Sequence, residues 1–526
     1  MKGKNTMKTY RCLLNEDMGC IGTVQTPACM DYDAPITRAQ VEYFVQDVSG
    51  TAVDAFLCCP TALRQPLWRS RVLPYWDTPA SYWPLPPRQE RTSSEAALWR
   101  IRDYIHAGGD PVRETYEAVK AAGMDFFFSY RMNDWHYVEF ITPEAAHRYP
   151  TVDEFYKANL NYRIGSRNAG NPVGWEVKNP YQQNYLIPAV REHYYALLEE
   201  LVSDYDIDGL ELDFMRSPNY FPEEQLAEGT VVMTAFVRRV RELLDVYGAR
   251  RQKVIPLCLH MPHRYAYCAA IGFDLETMAR EGLIDMVNVT SSYFQSTVLE
   301  IEEFKTHLPG VAVYGDIQAI ISNYPQGNGV AERRMTREMY ETAAHSLLSR
   351  GADGVALFNY QFLRPIDQPG STDTQMKREE EESLLLHLAD RAYLKRCPKH
   401  YILSGYQDLT WDGSLPAWGR ASVCLRVEDT DPIAHPRAVL RVVCRSGCTR
   451  DAVLTATFNG VVLEETGERE ELFPVSLTDG LYPPDSTRNY TVPVELLQPE
   501  NRVCIDGGAA GGQIEIFGLE LALYNA

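Results

Sequence analysis

The sequence has no uninterrupted apolar run of about 18 residues or more, which is the length that a membrane-spanning helix needs. Its amino-terminal stretch, MKGKNTMKTYRCLLNEDMGC, carries basic residues but no apolar core of signal-peptide length. We therefore expect a cytoplasmic protein that has no membrane partner.

Basic residues are scarce relative to acidic ones. The chain has 51 Lys and Arg against 71 Asp and Glu, which gives a formal net charge of −20. Because nucleic-acid backbones are bound by basic surfaces, this balance argues against a nucleic-acid partner. It does not disfavour a neutral ligand such as a sugar, and the sequence leaves the oligomeric state open.

Two common cofactor signatures are absent. The twelve cysteines show no paired Cys-x-x-Cys spacing, so reduced, buried thiols are favoured over a zinc site or a disulfide framework. No Gly-rich phosphate loop follows an early strand, which argues against a dinucleotide-binding sheet. The sequence predicts neither a metal nor an organic cofactor.

Up to about residue 365, short segments rich in strand formers alternate with helical ones. Eight such segments occur: YRCLLNEDMG, VDAFLCCPT, DFFFSYRMNDWH, IDGLELDFM, KVIPLCLHMP, DMVNVTSSYF, VAVYGDIQ and DGVALFNYQF. Several follow a helix end, a Gly or small-residue turn and an Asp, an arrangement that suits parallel strands fed by helices. We predict an α/β fold, a (β/α)8 TIM barrel over residues 1–395, with long loops after strands 2 and 3.

The character of the chain changes after residue 395. Short alternating strands such as AVLRVVCRSG, RNYTVPVELL and QIEIFGLELALY are separated by Gly, Pro and Asn turns, with hardly any helical periodicity. We predict a C-terminal all-β sandwich over residues 396–526, with bracing of the barrel as its default role.

The fourth predicted strand carries acidic residues at alternate positions. In DIDGLELDFMR, Glu211 and Asp213 share one face, because residues two apart in a strand point the same way. The intervening leucines and Phe214 suit packing against helices, so the acidic face is expected to look into the barrel, with Asp213 nearer its carboxyl-terminal mouth. Catalytic groups of this fold lie there. A purely structural alternative, an internal ion pair, is equally compatible with Glu211, and Asp208 is expected to be a turn residue.

Polar and aromatic residues also concentrate at the other strand ends. Carboxylates can transfer protons, polar side chains can bind hydroxyl groups, and aromatic rings can stack on a sugar. The proposed substrate-binding residues are Arg131, Asn133, Asp134, His136, His260, Arg216, Tyr293, Tyr314, Asn359 and Tyr360. The seventh strand adds Asp316 as a further candidate catalytic carboxylate.

DIDGLELDFMR, together with SYRMNDWH and GADGVALFNY, resembles the bacterial glycosyl-hydrolase-like barrel proteins described as family-10-like. The resemblance covers the barrel and not the C-terminal sandwich. It implies a catalytic acid on strand four, which corresponds to Asp213 or Glu211. In the large retaining clan of sugar-cleaving barrels the partner carboxylate follows strand seven, which corresponds to Asp316. The chain departs from that clan in lacking its Asn-Glu pair.

We interpret the chain as a glycoside hydrolase acting on an oligosaccharide or glycoside. Asp213 is the expected nucleophile or base, Glu211 the acid or a neighbour that sets its pKa, and Asp316 the third candidate. One alternative is a carbohydrate-binding barrel without chemistry. Another is a metal-dependent hydrolase that uses His260, His263, Asp134 and Asp213.

Overall fold

The protein is described from a computed structural model. The described residues are 8–22, 34–73, 93–146, 149, 151–166, 180–215, 218–291, 295, 299–326, 329–358, 378–404, 415, 417–445, 453–467, 471–474, 482, 484–508 and 514–525. The chain forms two compact units, one of residues 1–290 with 300–314 and one of residues 291–299 with 315–526. The predicted boundary between residues 395 and 396 stays a prediction.

Twelve strands are described up to residue 357. They are β1 (Cys12–Asp17), β2 (Val53–Cys59), β3 (Thr61–Ala62), β4 (Gln65–Pro66), β5 (Asp125–Arg131), β6 (Gly209–Asp213), β7 (Leu257–Pro262), β8 (Met286–Thr290), β9 (Ala312–Ile317), β10 (Ile320–Gln326), β11 (Gly329–Arg334) and β12 (Gly354–Leu357). Eight of them, β1, β2, β5, β6, β7, β8, β9 and β12, form a closed parallel barrel in chain order. These are the eight predicted strands, so the predicted TIM barrel is confirmed. The pairs β3–β4 and β10–β11 are antiparallel hairpins that the sequence analysis did not predict.

Helices lie between the barrel strands and after the last one. They are α1 (Arg38–Gln46), α2 (Ser93–His106), α3 (Pro111–Ala121), α4 (Glu154–Ala158), α5 (Pro188–Asp204), α6 (Leu226–Arg251), α7 (Tyr265–Ala270), α8 (Leu275–Arg280), α9 (Ile301–His307), α10 (Arg337–Ser349), α11 (Arg378–His387) and α12 (Arg391–Arg396). No helix in the described part of the chain is long and apolar enough to span a membrane.

Three of the predicted helix-to-strand turns contain a glycine in the left-handed backbone region. Gly123, Gly282 and Gly351 have φ angles of 75°, 67° and 97° and follow α3, α8 and α10. A residue with a Cβ is disfavoured in this conformation, so glycine is the residue that ends each helix and turns the chain back toward the next strand.

Aspartates at or just before the strand starts join neighbouring strands. The carboxylate of Asp208 accepts the backbone N–H of Phe126 at 2.9 Å, and that of Asp285 accepts the N–H of Leu257 at 2.9 Å. Asp208 also binds the ammonium groups of Lys120 and Lys253, at 2.5 and 2.9 Å. Asp208 is therefore a structural residue at the amino-terminal end of the barrel, in agreement with its expected position in a turn.

The C-terminal region contains two antiparallel sheets. Their strands are β13 (Lys399–Ser404), β14 (Ala417–Trp418), β15 (Arg420–Arg426), β16 (Arg437–Cys444), β17 (Thr455–Phe458), β18 (Val461–Val462), β19 (Glu464–Glu465), β20 (Thr487–Val492), β21 (Glu500–Asp506) and β22 (Glu515–Tyr524). One sheet has the order β13-β22-β16-β20-β19 with β14 beside β22, and the other has the order β15-β21-β17-β18. Side chains of both sheets form one apolar core. This confirms the predicted sandwich, although β13 and β15 were not among the predicted strands.

A buried ion pair lies in the second unit. The Lys399 side chain is fully buried, and its ammonium group lies 3.0 Å from the Asp429 carboxylate and donates to the carbonyl oxygen of Cys397 at 2.5 Å. The Asp429 carboxylate also lies 2.9 Å from His345. Burial alone would raise the pKa of Asp429, but the neighbouring His345 and His435 rings and the charge of Lys399 lower it well below its ordinary value. The stabilisation is therefore present above the unfolded pKa of about 3.9 and is lost as pH falls through the lower folded value.

We expect Asp429→Asn to destabilise the protein by about 3 kcal/mol near neutral pH, because it leaves the Lys399 charge buried without its counter-charge. Urea denaturation followed by circular dichroism measures this loss. The matched control is Asp506→Asn, which removes a carboxylate from an exposed ion pair with Arg420 and is expected to change stability little. Equal stability of the Asp429 variant and the unmodified chain would contradict the assignment.

Candidate active site

Alternate residues of β5, β6 and β7 form two polar layers inside the barrel. Strand register aligns one residue of each strand in each layer. The lower layer contains Ser129, Glu211 and Cys258, and the upper layer, nearer the carboxyl ends, contains Arg131, Asp213 and His260. In a barrel such residues point to the same side of the wall, so the two layers lie one above the other.

Glu211 lies in the lower layer and is fully buried. Its Oε1 accepts hydrogen bonds from Ser129 Oγ at 2.7 Å and from Asn15 Nδ2 at 3.4 Å. Its Oε2 lies 3.5 Å from Cys258 Sγ. Asn15 lies on β1, so its contact with Glu211 crosses the inside of the barrel from β6. The Glu211 side chain therefore points inward.

Asp213, the last residue of β6, lies one layer higher. Its Oδ1 lies 2.8 Å from His260 Nδ1 and accepts the backbone N–H of Met215 at 2.9 Å. Both side chains are almost completely buried, with 2% of Asp213 and 1% of His260 exposed. Burial alone would raise the pKa of Asp213, but the His260 ring, the charge of Arg131 and the Met215 N–H outweigh it and lower the pKa. Asp213 is therefore a carboxylate anion at neutral pH.

Arg131 connects this layer to two further carboxylates. Its guanidinium donates to Asp17 at 2.7 Å and to Asp134 at 3.3 Å, and its side chain is 3% exposed. Burial alone would lower the pKa of Arg131, but the charges of Asp17, Asp134 and Asp213 raise it well above its ordinary value. Arg131 is therefore a permanent cation surrounded by acidic groups.

Asp134 and His136 form a second carboxylate–imidazole pair in the loop after β5. Asp134 Oδ1 lies 2.6 Å from His136 Nδ1 and accepts the His136 backbone N–H at 2.9 Å. The Asp134 side chain is 3% exposed, whereas that of His136 is 24% exposed. The pair thus extends from the buried Arg131 toward solvent.

Two predicted substrate-binding residues have other roles in the structure. The Asn133 amide donates to the carbonyl oxygens of Gln183 and Asn219, each at 3.0 Å, and its oxygen accepts the Gln183 N–H at 3.1 Å. It joins three loops and has no donor left for a substrate. The fully buried Tyr314 accepts the backbone N–H of Tyr10 at 3.0 Å, which directs it to the amino-terminal end of β1, away from Asp213.

Asp316 is the remaining predicted site residue that the structure describes. Asp316 lies on β9, the seventh barrel strand, and is fully buried. Asp316 comes two residues after Tyr314 on β9, so the two side chains point to the same face of the strand. Four predicted substrate-binding residues lie outside the described residues: Arg216, Tyr293, Asn359 and Tyr360.

The grouping required for the metal-dependent alternative is not seen. His260 contacts Asp213, whereas the fully buried His263 ring packs edge-on against Tyr267 with centroids 5.4 Å apart. Burial and the Arg264 charge lower the pKa of His263 to about 3, so it is a neutral side chain. Within the described ranges, no three His, Cys, Asp or Glu side chains form a group that could hold a metal ion.

The two layers also contain Asn15, Asp17 and Ser129, which were not predicted from the sequence. Asn15 donates to Ser129 Oγ at 2.9 Å and so fixes the hydroxyl that binds Glu211. The signal was present, because LLNEDMG places polar residues at the end of the first strand as the other strands do.

No protein-family model matches the sequence, and no curated protein matches it significantly. Similar solved structures include glycoside hydrolases. One is an α-L-fucosidase from Paenibacillus thiaminolyticus, with a TM-score of 0.42 and 11% identity over 76% of this chain and 52% of that one. Another is a chitinase from Bacillus thuringiensis, with a TM-score of 0.40 and 9% identity over 98% of each chain.

A third is the PgaB glycoside hydrolase domain from Bordetella bronchiseptica, with a TM-score of 0.38 and 10% identity over 67% of this chain and 94% of that one. This chain spans about half the length of the fucosidase. All three TM-scores are below 0.5, and the resemblance to family-10-like proteins stays a prediction.

Proposed function

We propose that the protein is a glycoside hydrolase in which Asp213 is the nucleophile or the base that activates water. The observation that carries this proposal is the contact between Asp213 and His260 at the carboxyl end of β6. A carboxylate that stays ionised in a nearly dry site can stabilise positive charge developing on a sugar ring, and electrostatic interactions are strong where water is excluded.

Asp316 is the proposed proton donor to the leaving oxygen. Its support is its location on the seventh barrel strand, together with the pairing of strands four and seven that the sequence resemblance implies. Retaining and inverting mechanisms differ in the separation of the two carboxyl groups, and the stereochemistry of the first product distinguishes them.

Glu211 is proposed to support the site and not to transfer protons. A general acid must reach the leaving group, but the Glu211 carboxylate lies in the layer below Asp213 and already accepts hydrogen bonds from Ser129 and Asn15. We infer that it holds the neighbouring strands in register beneath the reacting carboxylate.

A non-catalytic carbohydrate-binding barrel is the second candidate. The observation that favours it is the near-complete burial of Asp213, whose charge is matched by neighbouring groups. Such a protein would bind glycans and release no product.

Replacing the proposed nucleophile is the direct test of the hydrolase. We expect Asp213→Asn to lower kcat on the best aryl glycoside by about 100- to 10,000-fold, the range for loss of a proton-transferring group. Initial rates with a panel of 4-nitrophenyl glycosides measure this, and retained glycan binding shows that the variant is folded. Unchanged turnover would refute the role of Asp213, and binding without turnover by the unmodified chain would favour the second candidate.

The pH profile should depend on His260. In His260→Gln the burial of Asp213 persists while its main stabilising partner is lost, so the pKa of Asp213 should rise. The acid limb of kcat/KM is then expected to move up by about 1–3 pH units. His307→Gln on the outer helix α9 is the control and should leave the profile unchanged. An acid limb at the same pH in both variants would show that His260 does not control Asp213.

Glu211→Gln should separate structural from catalytic effects. Ser129 and Asn15 donate to one oxygen of Glu211 and Cys258 donates to the other, so the NH2 group of the new amide must face a donor in either orientation. We therefore expect a loss of about 1–3 kcal/mol in stability. Activity per folded molecule should fall by less than about tenfold, far less than for Asp213→Asn. If Glu211→Gln instead kept full stability and lost as much kcat as Asp213→Asn, Glu211 would be a catalytic residue.

A further inference from the structure

The loop that follows β5 has a small apolar core of its own. Its fully or almost fully buried members are Val138, Ile141, Val152 and Tyr156. The guanidinium of Arg163 donates to the carbonyl oxygens of Val138 and Ile141, at 3.2 and 2.7 Å. The backbone of residues 138–141 is therefore fixed from inside the loop by packing and by hydrogen bonds.

The aromatic residues next to these anchors face solvent. Tyr137 is 39% exposed and Phe140 is 50% exposed. Both rings stack on the partly buried Tyr149, at centroid distances of 6.1 and 5.8 Å and interplanar angles of 27° and 17°. We call Tyr137, Phe140 and Tyr149 the aromatic platform.

The backbone at Tyr137 is strained. Its φ angle is 63°, in the left-handed region that disfavours side chains with a Cβ. Glycine would relax this position, yet the sequence has a large aromatic residue there. Strained residues of this kind concentrate at ligand sites, where the required position of a side chain outweighs the cost of an unfavourable backbone conformation.

The platform continues directly from the polar site. The Trp135 and His136 rings are stacked 5.8 Å apart at 19°, and His136 binds Asp134, which binds Arg131. Three peptide units separate Asp134 from Tyr137, so their Cα atoms lie within about 11 Å of each other. A ligand that reaches Asp134 is thus brought near the platform.

The chemistry of the platform fits sugar rings. A pyranose has an apolar face of C–H groups and a rim of hydroxyls, which match flat aromatic rings beside polar side chains. A stable protein interface needs about 800 Å² from each partner. Among the described residues of this loop, Tyr137 and Phe140 are the exposed large apolar side chains, a surface too small for such a partner.

We propose that the aromatic platform binds sugar units next to the one that is cleaved, so that the substrate is an oligosaccharide or polysaccharide of pyranoses. This inference rests on the proposed hydrolase function. It adds to that function the binding of further sugar units, so that the enzyme would distinguish substrates by chain length.

The test compares substrates of different length. The probes are 4-nitrophenyl monosaccharides and oligosaccharides of about two to six units built from glucose, N-acetylglucosamine, xylose or galactose. The test variant combines Tyr137→Gly with Phe140→Ala. The control is Tyr247→Ala, a tyrosine near the carboxyl end of α6, which leads into the amino-terminal end of β7. We expect the double variant to lose about tenfold in kcat/KM on the longer substrates and to keep its rate on the monosaccharides.

Tyr137→Gly also provides a readout that a structural role would not give. If the strain serves ligand binding, the Tm of this single variant should equal or exceed that of the unmodified chain. Equal losses on short and long substrates, a lowered Tm for Tyr137→Gly, or a change in oligomeric state by light scattering would overturn the platform while leaving the hydrolase intact. No turnover of any probe by the unmodified chain would overturn both proposals.

Discussion

The structure depends on the requirement that charge inside the barrel be paired. An unpaired ion in a dry interior costs several kcal/mol, so every charged group there needs an opposite charge or a set of hydrogen bonds. Asp213 meets this requirement through His260 and the Met215 N–H, and Arg131 meets it through Asp17 and Asp134. The result is a row of ionised groups whose positions are fixed by one another before any ligand binds, which is what electrostatic stabilisation of a reaction requires.

The two ends of the barrel use acidic residues for different purposes. At the amino-terminal end, Asp208 and Asp285 accept backbone N–H groups from the preceding strand and so hold the sheet together. At the carboxyl end, Asp213 and Asp17 accept from side chains, whose charge and geometry can respond to a ligand. The same residue type thus joins neighbouring strands at one end of the barrel and belongs to the polar layers at the other, although aspartates at both ends bind backbone N–H groups as well as charged side chains.

Local patterns were sufficient to predict the barrel and the inward acidic face of β6, because strand period and glycine turns are properties of short segments. The roles of individual residues were not predictable in the same way. Asn133 binds Gln183 and Asn219, and Tyr314 binds Tyr10, partners that are distant in the sequence and become neighbours only after folding. Strands β13 and β15 were missed for a related reason, since their pairing with β22 and β21 comes from the far end of the chain.

Burial of Arg131 and exposure of Tyr137 and Phe140 are complementary features of one segment. Within ten residues the chain passes from Arg131, which is 3% exposed, to Phe140, which is 50% exposed. Electrostatic interactions strengthen as water leaves, while a stacking surface must face water until its ligand arrives. A sugar chain that covers the platform would remove water from the approach to Asp134 and Arg131. Binding outside the barrel would then strengthen the charge interactions within it, which would link the proposed recognition of chain length to the proposed chemistry at Asp213.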